Sequence, residues 1–107
     1  MSSHIKIVRE DEFAENIEKG VALVDFYADW CGPCRMLAPA LEEVANDLKA
    51  SLNVFKLDID QAQKTATNFQ VTSVPTLILF KDGKEVGRVV GLRSSAEIKQ
   101  FVQSSVS

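Results

Sequence analysis

Residues 25–39 read "DFYADWCGPCRMLAP" and contain both cysteines of the chain, Cys31 and Cys34. The pair is preceded by an apolar run, residues 21–28 (VALVDFYA), rich in β-branched and aromatic residues. Such a run predicts a strand buried on both faces. Beyond the cysteines, Met36, Leu37, Ala40, Leu41, Val44, Ala45 and Leu48 recur at helical spacing, while Glu42, Glu43, Asp47 and Lys49 lie off that stripe. This is the pattern of an amphipathic helix. Pro39 lies inside it and takes away the hydrogen bond to the Arg35 carbonyl, which predicts a kink. The thiols are therefore placed where a buried strand gives way to a helix.

The rest of the chain repeats this alternation. Residues 5–8 (IKIV) predict a short strand. Residues 11–20 (DEFAENIEKG) predict a helix with Asp11 as N-cap and Gly20 as its stop. A strand follows at 52–59 (LNVFKLDI), then a weak helix with a capping-box spacing from Asp60 to Gln63 and with Ala62, Ala66 and Phe69 inward. The Asp82-Gly83 pair marks a hairpin that sets 76–81 antiparallel to 85–90. Ser94 and Glu97 form a capping box for a last helix that buries Ile98, Phe101 and Val102. Strands and helices in this order predict an α/β protein of three layers, its central five-stranded sheet mixed and flanked by four helices.

At 107 residues the chain fits one domain, 1–107, with room for a hydrophobic core. Twelve basic residues against fifteen acidic ones leave a formal charge of −3 and no basic field for nucleic acid. No apolar run is long enough to span a bilayer, so no membrane association is expected. The N-terminus lacks a signal-peptide pattern and the two cysteines make no secreted disulfide framework, so the expected location is cytoplasmic. Nothing in the composition demands more than a monomer.

Three chemistries compete for the cysteine pair. A structural zinc needs four ligands, and here there is one pair and a single distant histidine, His4; only a dimer pooling two pairs would supply four, and no metal is expected. A static bridge would close a loop of two residues and stabilise little, because the entropy gained grows with loop length. Disulfide exchange fits best. Pro33 pre-sets φ for a first helical turn, which places Cys31 at the helix N-terminus, where unpaired N–H groups and the dipole favour a thiolate. The thiolate is the attacking species. Cys31 is thus the expected nucleophile, and Cys34, one turn in and expected to be the more buried, the resolving thiol.

Two charged residues interrupt apolar strands. Asp25 stands between Val24 and Phe26, where an unpaired carboxylate is costly and its pKa should rise. Its expected role is to accept the Cys34 proton. Lys56 stands between Phe55 and Leu57 in the next strand. Trp30, the only tryptophan, precedes the nucleophile and is expected to form a partly exposed platform.

C-x-x-C beside a strand–helix pattern is a recognised redox signature. With "WCGPC" at 30–34, "VDFYADWCGPC" leading into it, "SVPT" at 73–76 and "KDGK" at 81–84, the whole chain resembles the thioredoxin family. The resemblance implies the thioredoxin fold and a general protein disulfide reductase working through a reversible Cys31–Cys34 disulfide with no bound cofactor. It implies recycling by a thioredoxin reductase, either an NADPH-dependent flavoprotein or a ferredoxin-linked enzyme, and clients that are disulfide-containing proteins. It makes Asp25 a buried acid beneath the site, Lys56 its supporting neighbour, and Pro75 a cis-proline opposite the cysteines that leaves the Val74 backbone free for a substrate strand. Gly91 then admits close approach of the substrate backbone, and Trp30, Gly32, Pro33, Val74 and Pro75 form with it a flat uncharged surface. Tyr27 stands where the family often has a second tryptophan, and Arg35 where lysine is usual. The competing readings are an oxidase or isomerase of an oxidising compartment, and a non-catalytic module recruited for its surface alone.

Overall fold

A computed structural model describes residues 3–107. It contains five strands, β1 (Ile5–Ile7), β2 (Val21–Tyr27), β3 (Asn53–Asp58), β4 (Thr76–Lys81) and β5 (Lys84–Val90), and four α-helices, α1 (Phe13–Ile17), α2 (Gly32–Asp47), α3 (Gln63–Asn68) and α4 (Ser95–Val106). A single 3-10 turn, Glu10–Glu12, leads into α1. The strands form one mixed sheet in the order β1-β3-β2-β4-β5. β3 is parallel to both β1 and β2, whereas β4 is antiparallel to β2 and β5. This is the α/β architecture expected from the chain, with β2 at its centre.

Each face of the sheet carries its own core, and the two-residue period of a strand decides which side chain joins which. Ala22, Val24 and Phe26 of β2 join Phe13, Ile17, Phe55, Leu57, Ile78 and Phe80 on one face. There the Phe13 ring packs edge-on against Phe69 and Phe80, with centroids 5.6 and 5.7 Å away. Leu23 joins Leu37, Leu41, Val44, Val54, Leu77, Leu79, Ile98 and Val102 on the other, beneath α2 and α4. Full burial of one such side chain contributes about 1.5–3 kcal/mol. Alternation from Leu23 puts Asp25 and Tyr27 on the α2 face as well. The register Leu23↔Val54, Asp25↔Lys56 and Tyr27↔Asp58 sets Lys56 and Asp58 beside them.

Several helix starts differ from the expected ones. Asp11 is not an N-cap. The N-cap is Arg9, two residues earlier, whose N–H donates to Glu12 Oε1 at 3.1 Å, while Asp11 forms an exposed ion pair with Arg9. Asp60 does not cap α3. Ala62 is the N-cap residue and has no side chain to offer, so the Thr65 N–H is met from far away in sequence, by Glu10 Oε2 at 2.7 Å. Met36, read as part of the buried stripe, is 66% exposed, because the inward face of α2 runs through Cys34, Leu37, Leu41, Val44 and Ala45 and Met36 lies to one side of it. α2 runs unbroken through the exposed Pro39. The Ser94–Glu97 capping box is formed as expected, with both hydrogen bonds present at 2.9 and 3.1 Å.

The Asp82-Gly83 turn has positive φ at both positions, as a tight hairpin between right-twisted strands requires. It is clasped to the end of the α1 segment: Asp82 Oδ1 accepts the Gly20 N–H at 2.8 Å, and the Asp82 N–H donates to the Gly20 carbonyl at 2.9 Å. No helix among the described residues is long and apolar enough to cross a membrane.

Candidate functional site

The site lies where β2 ends and α2 begins, at the carboxyl end of a central strand. Cys31 is the N-cap residue of α2, with extended backbone, and Gly32 and Pro33 supply the first helical positions. Proline is tolerated there because its missing N–H would have had no helical partner. The Cys31 Sγ accepts the Cys34 N–H at 3.1 Å and is bonded to the Cys34 sulfur. A sulfur held on a free helix N–H at the positive end of the dipole is better stabilised as a thiolate once the bond is reduced.

Sequence reasoning expected Cys34 to be the more buried of the two. The structure corrects this: both are 4% exposed. The Val74 carbonyl oxygen covers the Cys31 sulfur at 3.7 Å, and the disulfide is packed among Ala28, Tyr27, Ile59 and Val74.

The Val74–Pro75 peptide is cis, and Thr76 Oγ1 closes the turn by donating to the Ser73 carbonyl at 2.6 Å. Pro75 is buried and Val74 half-buried. The Pro75 carbonyl accepts the Gly91 N–H at 2.8 Å, which fixes the third loop of the site against the second. Gly91 has φ +95, a conformation that side-chain-bearing residues adopt only under strain. Gly32 has open space where a Cβ would stand. The site thus brings Trp30, Gly32, Pro33, Val74, Pro75 and Gly91 to one end of the sheet around the two sulfurs.

Asp25 lies under this surface, 1% exposed, and its Oδ1 has no hydrogen-bond partner among the described residues. Burial pushes its pKa up to about 7, and the positive charge of Lys56 opposes that rise. A carboxyl poised there exchanges a proton readily at neutral pH. Lys56 is register-paired with Asp25 across β2 and β3 and sets its ammonium over the Tyr27 ring, 4.4 Å from the centroid. A recess of about 210 Å³ lined by Tyr27, Ala28, Asp29, Cys34, Arg35, Ala38 and Lys56 reaches the Cys34 side of the disulfide. Arg35 donates to the Asp29 carbonyl at 2.7 Å across its mouth.

Trp30 is 66% exposed, and its Nε1 donates to Asp60 Oδ2 at 2.9 Å. Sequence reasoning missed this use of Asp60. A carboxylate three residues before a glutamine reads equally as a helix cap, and no local spacing links position 60 to position 30. Among the described residues no group of three or more His, Cys, Asp or Glu could hold a metal ion.

Comparison with known proteins agrees with this geometry. The thioredoxin family model matches residues 4–104. The chain is 48% identical over 96 residues to a thioredoxin of Staphylococcus saprophyticus, covering 90% of this chain and 92% of that protein. It is 50% identical over 98 residues to a thioredoxin of Chlamydia muridarum, covering 92% and 95%. With a disulfide joining the two cysteines of its WCGPC segment and a family match over nearly its whole length, the chain belongs to the thioredoxin family of thiol–disulfide oxidoreductases.

Proposed function

We propose that this chain, acting as one domain in the cytoplasm, is a general reductant of protein disulfides. The observation that carries the reading is the Cys31 sulfur: it caps α2, accepts the Cys34 N–H and is bonded to Cys34 above the buried Asp25, whose Oδ1 has no partner among the described residues. In the reduced protein the Cys31 thiolate attacks one sulfur of a client disulfide. The client S–S bond breaks, its second sulfur leaves as a thiolate and takes a proton from water, and a Cys31–client disulfide forms. Asp25 then accepts the Cys34 proton, and the Cys34 thiolate attacks the Cys31 sulfur. The Cys31–client bond breaks, the client leaves reduced by two electrons, and the Cys31–Cys34 bond stores the oxidation.

Lys56 supports the charged form of Asp25 during that transfer. Trp30, Gly32, Pro33, Val74, Pro75 and Gly91 form the client-docking surface, and the Val74 backbone pairs with an extended client strand. The chain binds no cofactor and acts as a monomer. As for the family generally, the partners are disulfide-bearing proteins and a thioredoxin reductase, here an NADPH-dependent flavoprotein or a ferredoxin-linked enzyme.

The test is the reduction potential of the Cys31–Cys34 couple, equilibrated against a dithiol buffer. A value at or below the cytosolic glutathione poise, roughly −220 to −260 mV, supports a reductant. A value well above it overturns the reading in favour of an oxidant or isomerase. The scale resolves the two, since about 30 mV is a tenfold change in the equilibrium for a two-electron couple.

A further inference from the structure

We propose that Tyr27 is a positioning residue for the resolving step: the face of its ring holds the Lys56 ammonium inside the recess beside Cys34, where that charge acts on Asp25. The inference rests on the roles given above to Asp25 and Lys56, and assigns to a third residue the task of keeping them together.

A lysine ammonium on a flexible four-carbon stem goes where the local field draws it. Carboxylates surround this one. Asp58 lies two residues on along β3, on the same face, and Asp29 lines the recess from the β2–α2 loop. An ion pair with either would draw the charge away from Asp25. Among the described residues Lys56 forms no such pair; the ion pairs within 4.0 Å involve Arg9, Arg88 and Lys99. Its ammonium instead lies 4.4 Å from the Tyr27 ring centroid, within cation–π range.

The other cationic group of the recess, Arg35 on α2, donates to the Asp29 carbonyl, and it is Lys56 that takes the ring face. Tyr27 is half-buried and its side chain packs against the cluster of Ala28, Cys31 and Cys34, which restricts the ring. Burial, together with Asp58, Asp29 and Asp25, pushes the Tyr27 hydroxyl up. The phenol therefore stays neutral, and the attractor is the ring face. On β4 the register partner of Asp25 is the apolar Leu77, and among the described residues Lys56 is the one charge that opposes the rise at that carboxyl.

The experiment follows the Asp25 carboxyl by carbon NMR across pH in the oxidised protein, and the rate of mixed-disulfide resolution across pH in the reduced one. Tyr27→Leu, with Tyr27→Met as a second ring-free variant, is expected to raise the proton affinity of Asp25 about threefold, roughly half a pH unit upward, and to move the rate profile alkaline by the same amount. Tyr27→Phe, which keeps the ring, should restore the parent profile. Lys56→Met should raise the Asp25 titration by itself, and in that background Tyr27→Leu should add nothing. If Lys56→Met shifts the titration and the ring-free variants do not, the role of Tyr27 falls and that of Lys56 stands. If Tyr27→Leu shifts it equally with and without Lys56, the ring acts through packing and the proposal is overturned. If Lys56→Met leaves Asp25 unmoved, the underlying reading of Lys56 falls and this inference with it.

Discussion

At the scale of single residues, the two sulfurs differ in role more than in exposure. Both are equally covered in the disulfide, but only Cys31 occupies the N-cap position that receives a helix N–H. Cys34→Ser should therefore leave the first attack intact and trap Cys31–client disulfides, seen as mass-shifted adducts that persist without added thiol. Cys31→Ser should yield no adducts and lose client reduction altogether. Asp25→Asn keeps the shape of the buried carboxyl but has no basic oxygen to accept the Cys34 proton. Resolution should slow by roughly the 10²–10⁴-fold typical of a lost general base, while the first attack is little changed. Equal slowing of both steps would show that Asp25 acts on the whole site and not on the Cys34 proton.

Elements explain what could be read in the chain and what could not. The strands were legible because their period of two and their β-branched runs are local signals, and β2, with its apolar sequence, is central as it had to be. The cysteine site was legible for the same reason: strand, Gly-Pro and helix start are contiguous. Contacts between distant segments were not. Glu10 meets the Thr65 N–H across 55 positions, and no spacing rule announces it. Asp11 and Asp60 each satisfied a capping rule, yet a neighbouring or distant carboxylate took the place, since capping rules count residues and not geometry. Met36 kept the helical period of the apolar stripe but stands at its margin, to one side of the inward face through Cys34, Leu37 and Leu41. Two consequences follow for elements. Ser94→Ala removes the side-chain acceptor for the Glu97 N–H and should cost about 1 kcal/mol in chemical denaturation. Gly91→Ala forces a Cβ onto φ +95 and should cost about 1–2 kcal/mol, with client reduction weakened through the Pro75 contact.

For the molecule as a whole, Asp25 sets the response of stability to pH. Its folded pKa of about 7 lies above the 3.8 of an ordinary aspartate, so between those values the folded state binds the extra proton. Stability from this group is complete below about 4 and is lost as pH rises through about 7, amounting to roughly 4 kcal/mol over that window. Asp47 and Glu97 act in the opposite sense: hydrogen bonds from Lys99, and from the Ser94 backbone and hydroxyl, hold them below their usual range, so they lose stabilising power in acid. The oxidised protein should therefore be most stable in mild acid, near the ordinary carboxylate range, and weaken toward neutrality. Denaturation midpoints measured from pH 3 to 9 check this, and Asp25→Asn should flatten the neutral limb and raise stability at pH 7. A parent curve that climbs to pH 7 would show that burial does not hold the Asp25 proton.

The hydrogen bond from Trp30 to Asp60 has a practical consequence. The chain has one tryptophan, and that indole is tethered to the β3–α3 loop one residue from the disulfide. Its emission is thus an optical reporter that needs no label and reads a single place in the molecule. Asp60→Asn, which leaves both sulfurs untouched, would separate what the indole sees of its tether from what it sees of the redox state next door. Client capture could then be timed by light in the unmodified protein.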